Sequence, residues 1–260
     1  MTATITHLLL DFFGTIVDYS PSRTEQDYSP SYGLLQRLGA SLAYGDFLAL
    51  GDEIFSAYEE RSAGDLSEFA MQEPSTVILE SALGRPATSG ETDAFVASYL
   101  QDWNSAVSYP GGMADLLRDL AGRYRLAVVS NTHSRTLVPD HLRALGVAEL
   151  FDAVVLSIDL GVRKPHPEIY RAALDQLGID ATAALFVGDT YAADYDGPRR
   201  LGIRALLIDP GRSAPVPEQD RLAGLVDLGD RLPRSEHVAE QPPRGVQAAH
   251  AVHTRPGRGG

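Results

Sequence analysis

Four short segments carry the residue types that can do chemistry on an anionic substrate. They are Asp11-Phe12-Phe13-Gly14-Thr15, Ser130-Asn131-Thr132, Arg163-Lys164-Pro165, and Gly188-Asp189-Thr190 with Asp194 five residues beyond Asp189. A carboxylate at Asp11 can attack phosphorus or an activated carbon, dividing one hard displacement into two easier ones through a covalent aspartyl intermediate. Asp189 and Asp194 supply the oxygen donors that a hard divalent cation takes. Lys164 can neutralise crowded carboxylates or a substrate oxyanion from a strand-end loop. It is the only lysine in the chain, beside 21 arginines. Thr15, Ser130 and Asn131 offer hydroxyl and amide donors to a transferred group. Asn131 and Thr132 have an alternative as caps of a following helix.

These residues need elements that bring them together. The apolar run 5–10 reads as a buried strand that ends at Asp11 in a Gly14 turn. From residue 110 the pattern alternates: helix at 113–121, strand at 125–130, helix at 134–145, strand at 153–157, helix at 167–177, strand at 183–187, helix at 192–201 and strand at 205–208. Such alternation implies a parallel sheet covered on both faces, and in open α/β sheets ligands gather outside the carboxyl ends of the strands. Residues 18–107 hold no second buried strand. They carry amphipathic stretches instead, around Phe47 to Tyr58, Val77 to Leu83 and Phe95 to Trp103, with Ser89 or Thr92 as the start of the last. Residues 233–260 are rich in Pro, Gly, Arg, Ala and His without periodicity, which predicts a disordered tail. His237, His250 and His253 match no compact metal site.

In order and spacing the four segments resemble the haloacid dehalogenase superfamily of hydrolases, over residues 5 to about 210. The resemblance implies an α/β fold with a doubly wound parallel sheet, a Rossmann-like core made of residues 1–17 and 108–232. A helical cap at 18–107 would be inserted after the first segment. It implies Asp11 as nucleophile, with Thr15, Ser130, Asn131 and Lys164 assisting. Phe13, Gly14, Ser130, Asn131 and Lys164 would border the substrate. Mg2+ would be held by Asp11, Asp189, Asp194 and the backbone carbonyl of Phe13. One position departs from the pattern. Phe13 stands where the phosphatase branch has a second Asp, which protonates the leaving oxygen and later helps activate water.

General acid–base help is worth about 10² to 10⁴ in rate, so the Phe13 substitution divides the functional readings. The first is a Mg2+-dependent phosphohydrolase acting on a small phosphorylated metabolite with a good leaving group, or drawing its proton from the cap or the substrate. The second is hydrolytic dehalogenation of a 2-haloacid, in which halide leaves without a proton. Phe13 suits it, as does Tyr170, six residues after Lys164. No Arg occupies a clearly matching early cap position, although Arg37 and Arg61 are available to hold a carboxylate. Against it stands Gly188-Asp189, where the dehalogenase branch has Ser and Asn. The third is a non-catalytic binder of a phosphorylated metabolite or a protein. His133 and His166 read as loop histidines without a role, the alternative being that either borders the pocket and supplies a proton. Tyr19, Arg23, Tyr28, Tyr32 and Trp103 flank the expected core–cap junctions, where a lid meets its ligand.

Composition narrows the partners. The formal charge of −13 opposes binding to nucleic-acid phosphates or an anionic membrane surface, which leaves a small anionic molecule as the expected partner. The absence of cysteine excludes disulfides and thiolate chemistry. The first ten residues lack the basic and apolar regions of a signal peptide, and apolar runs fall short of the roughly 20 residues that span a bilayer; the expected compartment is the cytoplasm. Oligomeric state stays open between monomer and homodimer.

Overall fold

The computed structural model describes residues 4–20 and 26–232. The tail expected at 233–260, with its three histidines, and Arg23 lie outside the described residues. Six strands form one parallel sheet: β1 His7–Leu10, β2 Arg125–Ser130, β3 Phe151–Leu156, β4 Ala184–Gly188, β5 Arg204–Ile208 and β6 Arg221–Leu222, in the order β3-β2-β1-β4-β5-β6. The helices that position the site are α1 Ser29–Arg37, α2 Tyr44–Asp65, α3 Gln72–Leu83, α4 Ser89–Asn104, α5 Met113–Ala121, α6 Leu137–Ala144, the single turn α7 Ser157–Leu160, and α8 Pro167–Leu177.

The strands read as nearly continuous apolar runs because both faces of the sheet are covered. Leu8, Leu10, Leu126 and Val128 meet Leu117 and Leu120 of α5 on one face. Leu9, Ala127, Val129 and Phe186 meet Ile169, Tyr170 and Ala173 of α8 on the other. Strand β1 sits at the centre, and its neighbours β2 and β4 lead outward in opposite directions. This is the doubly wound arrangement, with its crevice at the switch point beside β1.

Helices α1 to α4 enclose an apolar cluster of their own, built on Tyr28, Leu35, Phe47, Phe55, Ile78 and Phe95. The chain leaves for these helices and returns side by side: Asp18 N donates to Ser108 O at 3.0 Å, and Ser108 N donates to Asp18 O at 2.9 Å. A second attachment joins the α2–α3 loop to the core, where Glu68 N donates to Gly161 O and Arg163 N to Leu66 O. Among the described residues no helix is long and apolar enough to cross a membrane.

Three helical segments differ in cap or extent from the sequence expectation. The last helix of the insert starts at Ser89, one of the two expected starts, but its cap is Thr88. Thr88 Oγ1 accepts from Glu91 N while Glu91 accepts from Thr88 N, a reciprocal cap. Helix α6 starts at Leu137 because the hydroxyls of Thr132, Ser134 and Thr136 bond within the preceding loop. In place of a helix over 192–201 there is a wide π turn, Tyr191–Asp196, and then a short helical turn, Gly197–Arg199. The buried Tyr170 hydroxyl donates to the Ala193 carbonyl, and a side chain inserted into the ladder in this way re-spaces it.

Candidate active site

Because β1 is flanked by β2 and β4, the tips of three strands meet. Asp11 follows β1, Asn131 follows β2 and Asp189 follows β4. Lys164 comes from the loop before α8 and reaches across. Its Nζ lies 2.6 Å from Asp11 Oδ1 and 2.7 Å from Asp194 Oδ1, with all three side chains buried. Thr15 Oγ1 donates to Asp11 Oδ2 at 3.3 Å. Asp194 is aimed by the wide turn, its Oδ2 accepting from Thr190 N at 2.8 Å.

Carboxylate oxygens of Asp11, Asp189 and Asp194 all come within 4.8 Å of one another. Three carboxylates against one ammonium leave an excess of negative charge, and the donors are all oxygen, which is the chemistry that fits Mg2+. Two glycines make room for this crowding. A Cβ on Gly14 would overlap the Asp189 carboxylate, and Gly14 also sits at φ +80°; a Cβ on Gly188 would overlap Asp194. The bonds closing the turn after Asp11 run from Thr15, Ile16 and Val17 to Phe12 O and from Gly14 N to Val17 O. They leave the Phe13 carbonyl outside the closure.

Burial pushes the Asp11 carboxyl up, to about 7, with Asp194 and Asp189 adding to the shift and Lys164 opposing it. Burial opposes the charge on Lys164, but the Asp11 and Asp194 carboxylates outweigh it and raise its pKa. The ammonium is therefore fixed as a cation, and positive charge added beside the three acids would favour the ionised Asp11. Burial and then the Asp194 charge also raise Asp189.

A cavity of about 860 Å³ opens above these groups, between the sheet tips and the helical insert. Phe13 is half-buried at its edge in an edge-to-face cluster, 5.2 Å from the Trp103 ring and 5.8 Å from the Tyr19 ring. Of the residues expected at the core–cap junctions, Tyr19 and Trp103 line the cavity. Tyr28 and Tyr32 pack inside the helical insert. Asn131 lines the cavity, but its amide is engaged at both ends by the backbone of Lys164. Ser130 is fully buried, its hydroxyl on Asn131 O at 3.3 Å.

Tyr170 is fully buried beneath the wide turn and does not border the cavity. Arg61 lies over the Tyr58 ring and pairs with Glu73, and neither Arg61 nor Arg37 lines the cavity. His166 caps α8, accepting from Glu168 N at 3.3 Å. His133 has a defined setting that the sequence reading missed. It stacks on Phe69 at 4.0 Å, and its ring nitrogens lie 2.8 Å from Glu68 and 3.0 Å from Glu59. Glu59 also takes Arg163 at 2.7 Å, and Glu68 accepts from Ser157 Oγ, which in turn accepts from Thr132 N. Only the adjacency of Arg163 to Lys164 hinted at this network, since its acids come from the distant α2 and α2–α3 loop.

The model of haloacid dehalogenase-like hydrolases matches residues 5–202. The chain belongs to that family. A phosphoglycolate phosphatase of Rhodospirillum rubrum is 30% identical, over 90% of this chain and 98% of its own length. Haloacid dehalogenase-like hydrolase domain-containing protein 3 of Homo sapiens is 37% identical over 45% of this chain, and the match spans about half of that relative's length. Among solved structures, a 2-haloacid dehalogenase from Pseudomonas syringae pv. Tomato DC3000 shares the fold at TM-score 0.64, with 21% identity over 88% of this chain and 98% of that one. Proteins similar to this chain in sequence or in fold thus carry both phosphatase and dehalogenase names.

Proposed function

We propose that this hydrolase is a Mg2+-dependent phosphohydrolase of small phosphorylated metabolites with good leaving groups, using Asp11 as nucleophile. The observation that carries the reading is the convergence of Asp11, Asp189 and Asp194 on the single ammonium of Lys164. Three acids at one strand-tip crevice suit an oxygen-rich, highly charged substrate and its metal, and a halide leaving group has no need of them. The phosphatase name of the relative matched nearly end to end supports the same choice.

Asp11, Asp189, Asp194 and the Phe13 carbonyl would hold Mg2+, which when bound supplies positive charge to the phosphoryl oxygens and to the nucleophile. Asp11 attacks phosphorus, the bond to the leaving oxygen breaks, and an aspartyl phosphate forms. Water then cleaves the aspartyl phosphate and frees phosphate and Asp11. Lys164 holds Asp11 in place and stabilises charge on the transferred group. Asn131 fixes Lys164 through its backbone, and Thr15 orients the second oxygen of Asp11. Phe13 has no proton to give, so the leaving group departs as an anion stable in its own right. Helices α1 to α4 act as a cap that walls off water above the crevice.

Hydrolytic dehalogenation is the second reading, favoured by Phe13 alone. Tyr170 gives it no support, because its hydroxyl is spent on Ala193. The test is phosphate release from acetyl phosphate by the wild type and by Asp11→Asn, with Mg2+ present. Release that is absent in the variant supports the reading; equal release by both removes Asp11 as nucleophile.

A further inference from the structure

The charge accounting of the cavity bears on the leaving group. Among the described residues its wall carries three basic side chains: Lys164, Arg163 and His133. Each is already matched. Lys164 lies between Asp11 and Asp194, Arg163 on Glu59, and His133 between Glu59 and Glu68. Among the described residues, a substrate carrying a second anionic group, such as a carboxylate, finds no free cation on the wall, and a desolvated anion without a partner is costly.

Part of the remaining wall is apolar and aromatic. Phe13 stands edge to face against Tyr19 and Trp103, which are tilted to each other, and all three line the cavity with Asp11. Phe55 stacks on Tyr99 at 5.4 Å, and both line the cavity with Leu100 and Leu137. Such a surface binds a flat apolar body through burial and edge-to-face ring contacts. The missing proton donor at Phe13 points the same way: a phenolate or aromatic carboxylate leaves as a stable anion, phenols having a pKa of about 10, whereas an alkoxide does not.

Resting on the phosphohydrolase reading, we infer that the substrate class is a phosphate joined to an aromatic body without a second anionic group, an aryl or aroyl phosphate. Phe13 is then a specificity-determining residue as well as the cause of the leaving-group demand. Phosphoglycolate, named for the Rhodospirillum rubrum relative, is a poor substrate on both counts, since it couples an alkoxide leaving group to a carboxylate.

The test compares initial rates of Mg2+-dependent phosphate release from benzoyl phosphate, acetyl phosphate and 2-phosphoglycolate. The first two share the same leaving-group chemistry and differ in the ring. The expected result is a kcat/KM for benzoyl phosphate on the order of tenfold or more above acetyl phosphate, with 2-phosphoglycolate lowest. In Trp103→Ala the benzoyl-to-acetyl ratio falls towards one. A ratio on one preparation does not depend on the folded fraction, and Phe55→Leu gives a second test from a different helix of the lining. Equal rates on benzoyl and acetyl phosphate overturn the inference while leaving the phosphohydrolase reading standing, whereas preference for 2-phosphoglycolate overturns both the inference and the leaving-group demand of that reading. No phosphate release from any of the three overturns both.

Discussion

Asn131 holds Lys164 by its backbone: Lys164 N donates to Asn131 Oδ1 at 2.7 Å, and Asn131 Nδ2 donates to Lys164 O at 3.1 Å. The tip of β2 thereby sets the position of an ammonium that emerges 33 residues later and must reach Asp11 at the tip of β1. Misplacing a catalytic group by about 1 Å costs roughly 100-fold. Asn131→Ala is therefore expected to lower kcat for acetyl phosphate by about 10- to 100-fold with little change in KM. Steady-state phosphate release measures both constants, and an unchanged kcat would show that Lys164 is held without this amide.

Phe13→Asp should restore the missing proton donor. Turnover of an alkyl monoester whose alkyl group carries no charge, such as propyl phosphate, is expected to rise by at least about tenfold, the low end of what general acid catalysis provides. Because Phe13 leaves the ring cluster with Trp103 and Tyr19, the same change should cost about 1–3 kcal/mol of stability in urea unfolding. Loss of stability without any gain in turnover would count against the absent acid as the reason for leaving-group selectivity.

Steric crowding gives an independent handle on the metal site. Gly188→Ala places a Cβ onto Asp194, so Asp194 must swing from Lys164 and from the cation position. Calorimetric titration with Mg2+ is expected to show affinity reduced by about tenfold or more, with about 1–3 kcal/mol of stability lost. Gly45→Ala, in α2 with open space around the new methyl, should instead stabilise by about 0.5–1 kcal/mol. Undiminished Mg2+ binding by the first variant would remove Asp194 from the cation site.

The His133 network makes a pH prediction. Burial pulls the His133 pKa down, but its bonds to Glu59 and Glu68 outweigh burial and raise it above 6.5. Its contribution to stability is thus fully present below about 6.5 and is lost as pH rises through the raised value. For Glu59 burial works upward, yet His133 and Arg163 depress it to about 2, so its share persists above about 4.5 and fades only in strong acid. Glu59 is half-exposed, so solvent screening keeps its part small. Thermal melts of wild type and His133→Asn are expected to differ most near about pH 5.5 and least near about pH 9. A difference that grows with pH would contradict a protonated His133.

The sheet was legible because buried strands in a parallel sheet are apolar throughout. Strand 125–130 and helices 113–121 and 167–177 coincide with β2, α5 and α8. Asp11, Lys164, Asp189 and Asp194 were legible as candidates because each sits at or just beyond a strand end, and their juxtaposition follows from the strand order. What escaped were features set by long-range contacts. The wide turn at Tyr191–Asp196 depends on Tyr170 reaching Ala193, which helical periodicity cannot reveal. The use of the Asn131 amide on Lys164, and the bonds joining His133 and Arg163 to Glu59 and Glu68, connect residues 33 to 104 positions apart. No local pattern announces such pairs.

The central claim is that Asp11 performs metal-dependent phosphoryl transfer. Its most direct test incubates the purified protein with acetyl phosphate in Mg2+ or in chelator, with 2-chloropropionate in parallel, following phosphate and chloride. The account predicts phosphate release that requires Mg2+ and disappears in Asp11→Asn, with no chloride. Chloride release that persists in chelator, without phosphate release, would contradict it.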